Sequence, residues 1–520
     1  MTVLACAAGP ACASASVATL RIGLAGEVTT IDPHVLNIAP NNNVGWHIFD
    51  ALTNVDDHAR LIPGLAVSWR AVDATTWEFK LRSGVKFHDG EDFDARDVIA
   101  SLERPLHVRN GQFNSFVQRI VAKEIVDAHT VRLKTARPYA LLPLDLDSIF
   151  IIPARFAGAT STDFDSGRAA VGTGPFKFVA FRRGESVELR RNDQYWGNAP
   201  PWAAVSLRII PADRARIAAL ISGDVDMIEA VPTADIAAVR AHGRFAITQT
   251  TSWRTLFFHL DQWRSHPPSM QDKQGKPLAD NPFKDRRVRL AVAKAIDRQG
   301  IVDHLMDGAA LAASNLVAPG VFGYAADLKP TAFDPAAARA LLREAGYPDG
   351  FTLTVSGPNN RYVNDARILQ AVAAMLARIG IATRVAAIPM SAYIPKARGG
   401  DFSFMMLGWG SYSAVLALRT LAVTPDTAKG DGAWNWSHYS NPALDALIER
   451  SFEETDDAQR EATARDAMRV AIEDVAVVPL HHQFAVWAMR AEVGYQGRTD
   501  EFTFAHEVRG TLAQEVRPHD

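Results

Sequence analysis

The chain has 520 residues, 48% hydrophobic and 22% charged, with 55 Lys+Arg against 58 Asp+Glu and a net charge of −3. That is the composition of a globular protein with apolar material for a large core, and the length suggests about two to four lobes or domains. There is no basic excess to hold a phosphate backbone, and no apolar run beyond the N-terminus reaches the roughly 18–20 residues of a membrane helix, which excludes nucleic-acid binders and integral membrane proteins. In chain order, residues 1–18 come first: they lack any charged side chain and contain Ala13-Ser14-Ala15, a small-residue cleavage pattern. The segment reads as a residual signal peptide without its basic start, and an Ala-rich disordered terminus is the alternative. Cys6 and Cys12 are the only cysteines and both lie there. A chain cut near Ala15 therefore has no disulfide, no thiolate nucleophile and no Cys-ligated zinc.

From Thr19 onward short β-type runs alternate with amphipathic helices. Residues 20–25 read as a buried strand, and residues 76–81 set Trp77, Phe79 and Leu81 against Glu78 and Lys80 as a half-buried one. Asp94 before Ala95 marks a helix start, with Val98, Leu102 and Leu106 as its apolar stripe. Residues 205–210 predict a strand, 214–222 a helix and 224–228 another strand. Residues 255–260 form an apolar strand followed by a long polar stretch, 263–284, with Pro267, Pro268, Pro277 and Pro282. That stretch reads as a crossing between lobes or an elaborated loop. Helices at 288–296 and 335–345 then alternate with strands at 352–356, 383–388 and 402–407, an α/β lobe. Strands at 477–480 and 484–489 carry the chain back.

Motifs for catalysis are missing. No G-x-S-x-G, H-E-x-x-H, Walker A or complete G-x-G-x-x-G occurs. Gly172-Thr173-Gly174-Pro175 reads as a turn, because proline removes a donor that a phosphate cradle uses. His481-His482 are strand neighbours pointing to opposite faces, which does not suit one shared ion. Asp145-Leu146-Asp147 and Asp224-Val225-Asp226 read as solvated turns. The chain thus carries no sign of a metal, a cofactor or an enzyme's catalytic set. Trp253, Trp409, Trp434 and Trp436 instead sit in Gly- or Ser-containing turn-like segments, where aromatic rings line ligand clefts or pad lobe contacts.

Several separated blocks resemble the family 5 extracellular solute-binding proteins, the dipeptide, oligopeptide and nickel receptors of ABC importers. They include Thr30-Ile31-Asp32-Pro33-His34, Leu61-Ile62-Pro63-Gly64-Leu65-Ala66, Trp77-Glu78-Phe79-Lys80-Leu81-Arg82 and Phe87-His88-Asp89-Gly90. Gly172-Thr173-Gly174-Pro175-Phe176, Asn192-Asp193-Gln194-Tyr195-Trp196, Asp285-Arg286-Arg287-Val288-Arg289, Ala345-Gly346-Tyr347-Pro348 and Gly408-Trp409 follow in order. The resemblance implies an α/β, two-lobe periplasmic binding protein fold of class II type, with the ligand enclosed between lobes. It implies this division: first lobe 19–59, an extra subdomain 60–180, first lobe again 181–261, second lobe 262–484, and a return to the first at 485–520. It further implies a periplasmic monomer that hands a peptide or peptide-like solute to an inner-membrane permease and its ATPases. A periplasmic hydrolase of phytase-like naming, and a chaperone or signalling receptor, are the alternatives.

The resemblance points to Thr30, His34, Trp253, Arg254, Arg361, Tyr362, Trp409, Gly410, Tyr412, Trp434 and Trp436 as ligand-binding residues. In dipeptide-binding members an acid three positions after the Gly-Trp tryptophan holds the ligand's ammonium. Here Tyr412 stands there, and Asn360 stands where those members carry a carboxylate-binding arginine, with Arg361 shifted by one. With Arg254 and Arg361 adding positive charge, the cleft is expected to prefer anionic, blocked or longer ligands over free-amine dipeptides. The alternative is that another acid, such as Asp32 or Asp261, replaces the missing one.

Overall fold

Two long antiparallel strands, Phe245–Leu260 and Val477–Arg490, run side by side through the middle of a 12-stranded sheet. The computed structural model describes residues 19–109, 111–427 and 429–510; the signal-like segment with Cys6 and Cys12 lies outside them. On one side of the central pair the sheet continues through Met227–Ile228, Thr19–Leu24, Ala204–Ile209, Ser186–Arg191 and Phe176–Arg182. On the other it continues through Phe404–Gly410, Thr352–Pro358 and Met270–Gln271, with Ala382–Ile388 parallel to Thr352–Pro358.

Two cores sit on these two halves. Leu20, Ile22, Leu207 and Trp487 are buried in the first, and Leu256, Phe258, Val355 and Phe404 in the second. Thr19–Leu24 is paired on both edges; Leu20, Ile22 and Leu24 point into the first core, while Arg21 on the opposite face bonds to Asp226 at 2.7 Å. A separate four-stranded antiparallel sheet, in the order Ala66–Asp73, Thr76–Leu81, Thr130–Thr135, Ile120–Asp127, buries Trp77, Phe79, Val131 and Leu133. The helix Ala95–His107 shares this core through Val98 and Leu102. It opens on a capping box in which Asp94 accepts from the Arg96 amide at 2.8 Å and the Asp94 amide donates to Asp97 at 2.9 Å.

Three elements differ from the sequence reading: the strand read at 255–260 begins ten residues earlier, at Phe245, where it pairs with Arg490, and two others change in extent. Of residues 224–228 only Met227–Ile228 is strand, although the Asp226 amide still donates to the Arg21 carbonyl at 2.8 Å and its carboxylate accepts from the Arg21 side chain at 2.7 Å. Residues 477–480 and 484–489 form one strand, because His481 and His482 continue the ladder across from Leu256 and Thr255. Both histidines are buried, and His482 Nδ1 lies 2.8 Å from Thr255 Oγ1.

The Gly172–Pro175 turn is held by backbone proximity. A Cβ on Gly172 would lie 2.0 Å from the Ile48 carbonyl oxygen, and Thr173 Oγ1 donates to Asp50 at 2.8 Å. Gly172→Ala should therefore push the 47–49 backbone away and cost about 1–3 kcal/mol. A urea midpoint that does not move would contradict this.

Candidate functional site

The central pair of strands loses register at one place. Thr251 faces Phe484 and Thr255 faces His482, so Ser252, Trp253 and Arg254 together oppose Gln483 alone. A bulge of this kind bends the strand and re-aims its side chains. Here Trp253 and Arg254 line a cavity of about 610 Å³, together with Trp46, Phe150, Trp409 and Trp434. The Trp253 amide is held by the Thr499 carbonyl at 2.9 Å.

The end of strand Phe404–Gly410 supplies Trp409 and Gly410, and the following turn supplies Tyr412. A Cβ on Gly410 would sit 2.6 Å from Trp253 Nε1, so glycine lets that indole lie against the backbone. Trp409 meets Trp434 at 5.2 Å between ring centroids, and Trp253 meets Tyr412 at 5.9 Å. Trp436 is buried behind Trp434, stacked at 4.8 Å, and is not part of the lining. Gly408 also has no room for a Cβ, which would fall 2.7 Å from the Tyr362 ring. Tyr362 packs there, donates to the Gly408 carbonyl at 3.2 Å, and supports the Trp409 strand without lining the cavity. Arg361 is exposed beside it and is likewise absent from the lining.

Thr30 and His34 lie away from the cavity, for a structural reason. Thr30 Oγ1 donates to Asp165 at 2.8 Å, and His34 is fully buried with Nε2 2.8 Å from the Phe150 carbonyl. Burial, then the charge of Arg104, pushes His34 down to about 4, so it is neutral. Asp32 of the same block takes both arms of Arg104 at 2.7 Å. This block is a structural lock. Neither Asp32 nor the buried Asp261 reaches the cavity.

Acids line the cavity although Tyr412 stands at the family's acidic position, and they are neither Asp32 nor Asp261. Asp145 and Asp147, read from sequence as a solvated turn, are buried and line the cavity together with Asp500. They project from the consecutive turns Leu142–Asp145 and Leu146–Ser148, with the Tyr412 hydroxyl paired to Ser148. Tyr139 donates to Asp145 at 2.6 Å. Burial raises Asp145 to about 7, and burial with Asp500 nearby raises Asp147 to about 8. Arg254, expected to add positive charge, is matched by Glu501, which accepts from it at 2.9 Å and from Ser252 at 2.6 Å. A signal for the acids was present in the sequence: both aspartates interrupt an apolar stretch running from Ala140 to Ile152, where a carboxylate is buried by default. Among the described residues no group of three or more His, Cys, Asp or Glu side chains is arranged to hold a metal ion.

Residues 60–416 match the model of the bacterial extracellular solute-binding proteins, family 5. The chain belongs to this family. The glutathione-binding protein GsiB of Pectobacterium atrosepticum is 26% identical over 455 residues, covering 86% of this chain and 85% of its own. Heme-binding protein A of Haemophilus influenzae is 25% identical over 462 residues, covering 81% and 78%. The solved structure of the periplasmic binding protein DppA of Helicobacter pylori, in complex with the peptide STSA, superposes with a TM-score of 0.77 at 24% identity. That superposition covers 95% of this chain and 98% of the other, and it fixes the two-lobe α/β architecture. As a family 5 member the chain is a solute-binding protein.

Proposed function

We propose that this protein is the periplasmic receptor of an ABC importer, a monomer that encloses a peptide or peptide-like solute and hands it to an inner-membrane permease. The observation that carries the reading is the cavity itself. It is walled by Trp253, Trp409 and Trp434, floored by carboxylates, and built from both lobes. Such a site gives a ligand contacts with both halves at once, so binding favours the closed arrangement in proportion to its extra affinity for it. The relative named for glutathione, itself a peptide, supports the ligand class. Export would follow from residues 1–18 acting as a signal segment. The hydrolase alternative finds no support in the cavity: Ser411 Oγ donates to the Ser413 carbonyl at 2.9 Å, and no histidine lines the described wall.

Native mass spectrometry of protein purified without denaturation tests the proposal. A small adduct of peptide composition that is lost on unfolding is expected; a nucleotide, sugar or metal-chelate adduct instead would overturn the ligand class. Trp434→Ala should weaken binding of that solute by about 2 kcal/mol, some 30-fold in Kd, because it removes a wall of the cavity and the support of Trp409. Calorimetry giving an unchanged Kd would contradict the placement of the site.

A further inference from the structure

We propose a second ligand site, for a small organic carboxylate with an apolar tail, in which Arg298 receives the carboxylate. The site is a cavity of about 200 Å³ beside the core of Leu256, Phe258 and Phe404. There the helices Arg286–Ala295 and Asp457–Glu473 meet the start of the strand Val477–Arg490. It shares no lining residue with the solute cavity. Its volume is below the roughly 300–1,000 Å³ of sites for drug-sized ligands, so its occupant is small.

Arg298 sets the site apart. Six arginines are buried among the described residues, and five of them bind a carboxylate: Arg104 that of Asp32, Arg216 Asp213, Arg289 Asp474, Arg460 Asp457 and Arg498 Asp500. Arg298, 4% exposed, has carbonyls only. Its Nε donates to Pro479 at 2.7 Å, and its Nη1 to Ala293 at 2.9 Å, Thr331 at 3.3 Å and Ile296 at 3.4 Å. Among the described residues Nη2 finds no acceptor, and it is not sealed in by protein, so it opens on the cavity that Arg298 lines. Burial pulls the guanidinium down to about 10 with no acid near enough to oppose the shift, and it stays charged at neutral pH. An anion on Nη2 supplies both the missing acceptor and the missing countercharge.

The rest of the wall selects the kind of anion. Leu290, Ala293, Leu328, Ile472, Val477 and Pro479 are apolar. A strongly hydrated inorganic oxyanion would lose water there without replacement partners, whereas a hydrocarbon tail gains by burial. Exposed Arg286, Lys329 and Glu473 complete the charged lining, which with Arg298 makes three cations against one acid. Asp474, 3.9 Å from Arg286, is taken by Arg289 and Tyr439. Arg286 donates to the Glu473 carbonyl at 2.9 Å, but Lys329 reaches only the Ala326 carbonyl at 3.4 Å, which leaves it to draw the anion in.

Calorimetry on the full chain with benzoate, benzamide and inorganic phosphate tests the site. Benzoate is expected to bind about 10-fold or more tightly than benzamide, its neutral isostere, and to be undisturbed by equimolar phosphate. Lys329→Glu, at an exposed position, should weaken benzoate about fivefold. Leu290→Trp, which fills the cavity, should abolish its binding, and Trp434→Ala in the solute cavity should leave it unchanged. Equal binding of benzoate and benzamide would overturn the anion seat, and displacement by equimolar phosphate would overturn the organic class of ligand. Benzoate that responds to Trp434→Ala alone sits in the solute cavity, and that result, like an absence of binding, would overturn the second site. Arg298→Met strips the donor from four carbonyls and threatens the fold, so Lys329→Glu and Leu290→Trp, each checked by circular dichroism, carry the test in its place.

Discussion

Asp147→Asn makes the protein more stable above pH 7 and flattens the fall of its unfolding free energy with pH. In the folded protein burial, then the neighbouring Asp500, raises this carboxyl to about 8, whereas an unfolded chain leaves it near an ordinary value of about 3.9. Between those values the folded state holds a proton that the unfolded state has lost. The resulting stabilisation is complete below about pH 4 and disappears as pH rises through about 8. At about 1.36 kcal/mol for each tenfold change in proton affinity, the wild type stands to lose on the order of 2–5 kcal/mol across that span. Asp145, raised to about 7 by burial, adds to the decline in the same direction. Asparagine keeps the shape and needs no ionisation. The buried histidines do not confuse the comparison between pH 7 and pH 9, because burial depresses His34, His47 and His481 to about 4 and they stay neutral there. Urea midpoints at pH 7 and pH 9 should fall steeply for the wild type and less for the variant. Parallel declines would mean that Asp147 is ionised at little cost in the folded protein.

Arg104→Met should be the most damaging single change on the first lobe. Arg104 and Asp32 are both buried and joined by two bonds of 2.7 Å, and Asp32 also accepts from Ser161 at 2.9 Å. Burial alone would raise Asp32, but the bonds and charge of Arg104 outweigh it and hold the acid below the usual carboxylate range. Removing the guanidinium leaves a buried carboxylate without its counterion, a loss of about 3–5 kcal/mol. The double change Asp32→Asn with Arg104→Met should cost less than the sum of the two single changes, since no unmatched charge remains. Denaturant titrations of the four proteins measure this; additive losses would show that the pair does not act as a unit.

Much of the fold is legible in the sequence because its signals are local. The alternation of Trp77, Phe79 and Leu81, the Asp94 cap and the stripe of Val98 and Leu102 all report one element's surroundings, and the structure places these elements within a residue or two. The site is legible where aromatic rings meet glycine: Trp253, Trp409, Gly410, Tyr412 and Trp434 all line the cavity. It is opaque where the decisive partner is distant in sequence. Thr30 and His34 belong to a conspicuous block, yet their partners Asp165 and Phe150 lie more than a hundred residues on and turn the block into a lock. Asp145 and Asp147 read as a surface turn because the Asp-Leu-Asp pattern says nothing of Tyr412 and Asp500, which stand near them in the folded chain. Residue Arg254 looks like free positive charge because Glu501 stands 247 positions away.

The most direct measurement is small-angle X-ray scattering on protein first stripped of solute and then saturated with the one found by native mass spectrometry. Enclosure between two lobes predicts a smaller radius of gyration in the saturated protein, with an unchanged far-ultraviolet circular dichroism spectrum, because the lobes move as bodies about the two long strands. Superimposable scattering curves at saturation would contradict capture by closure of the lobes.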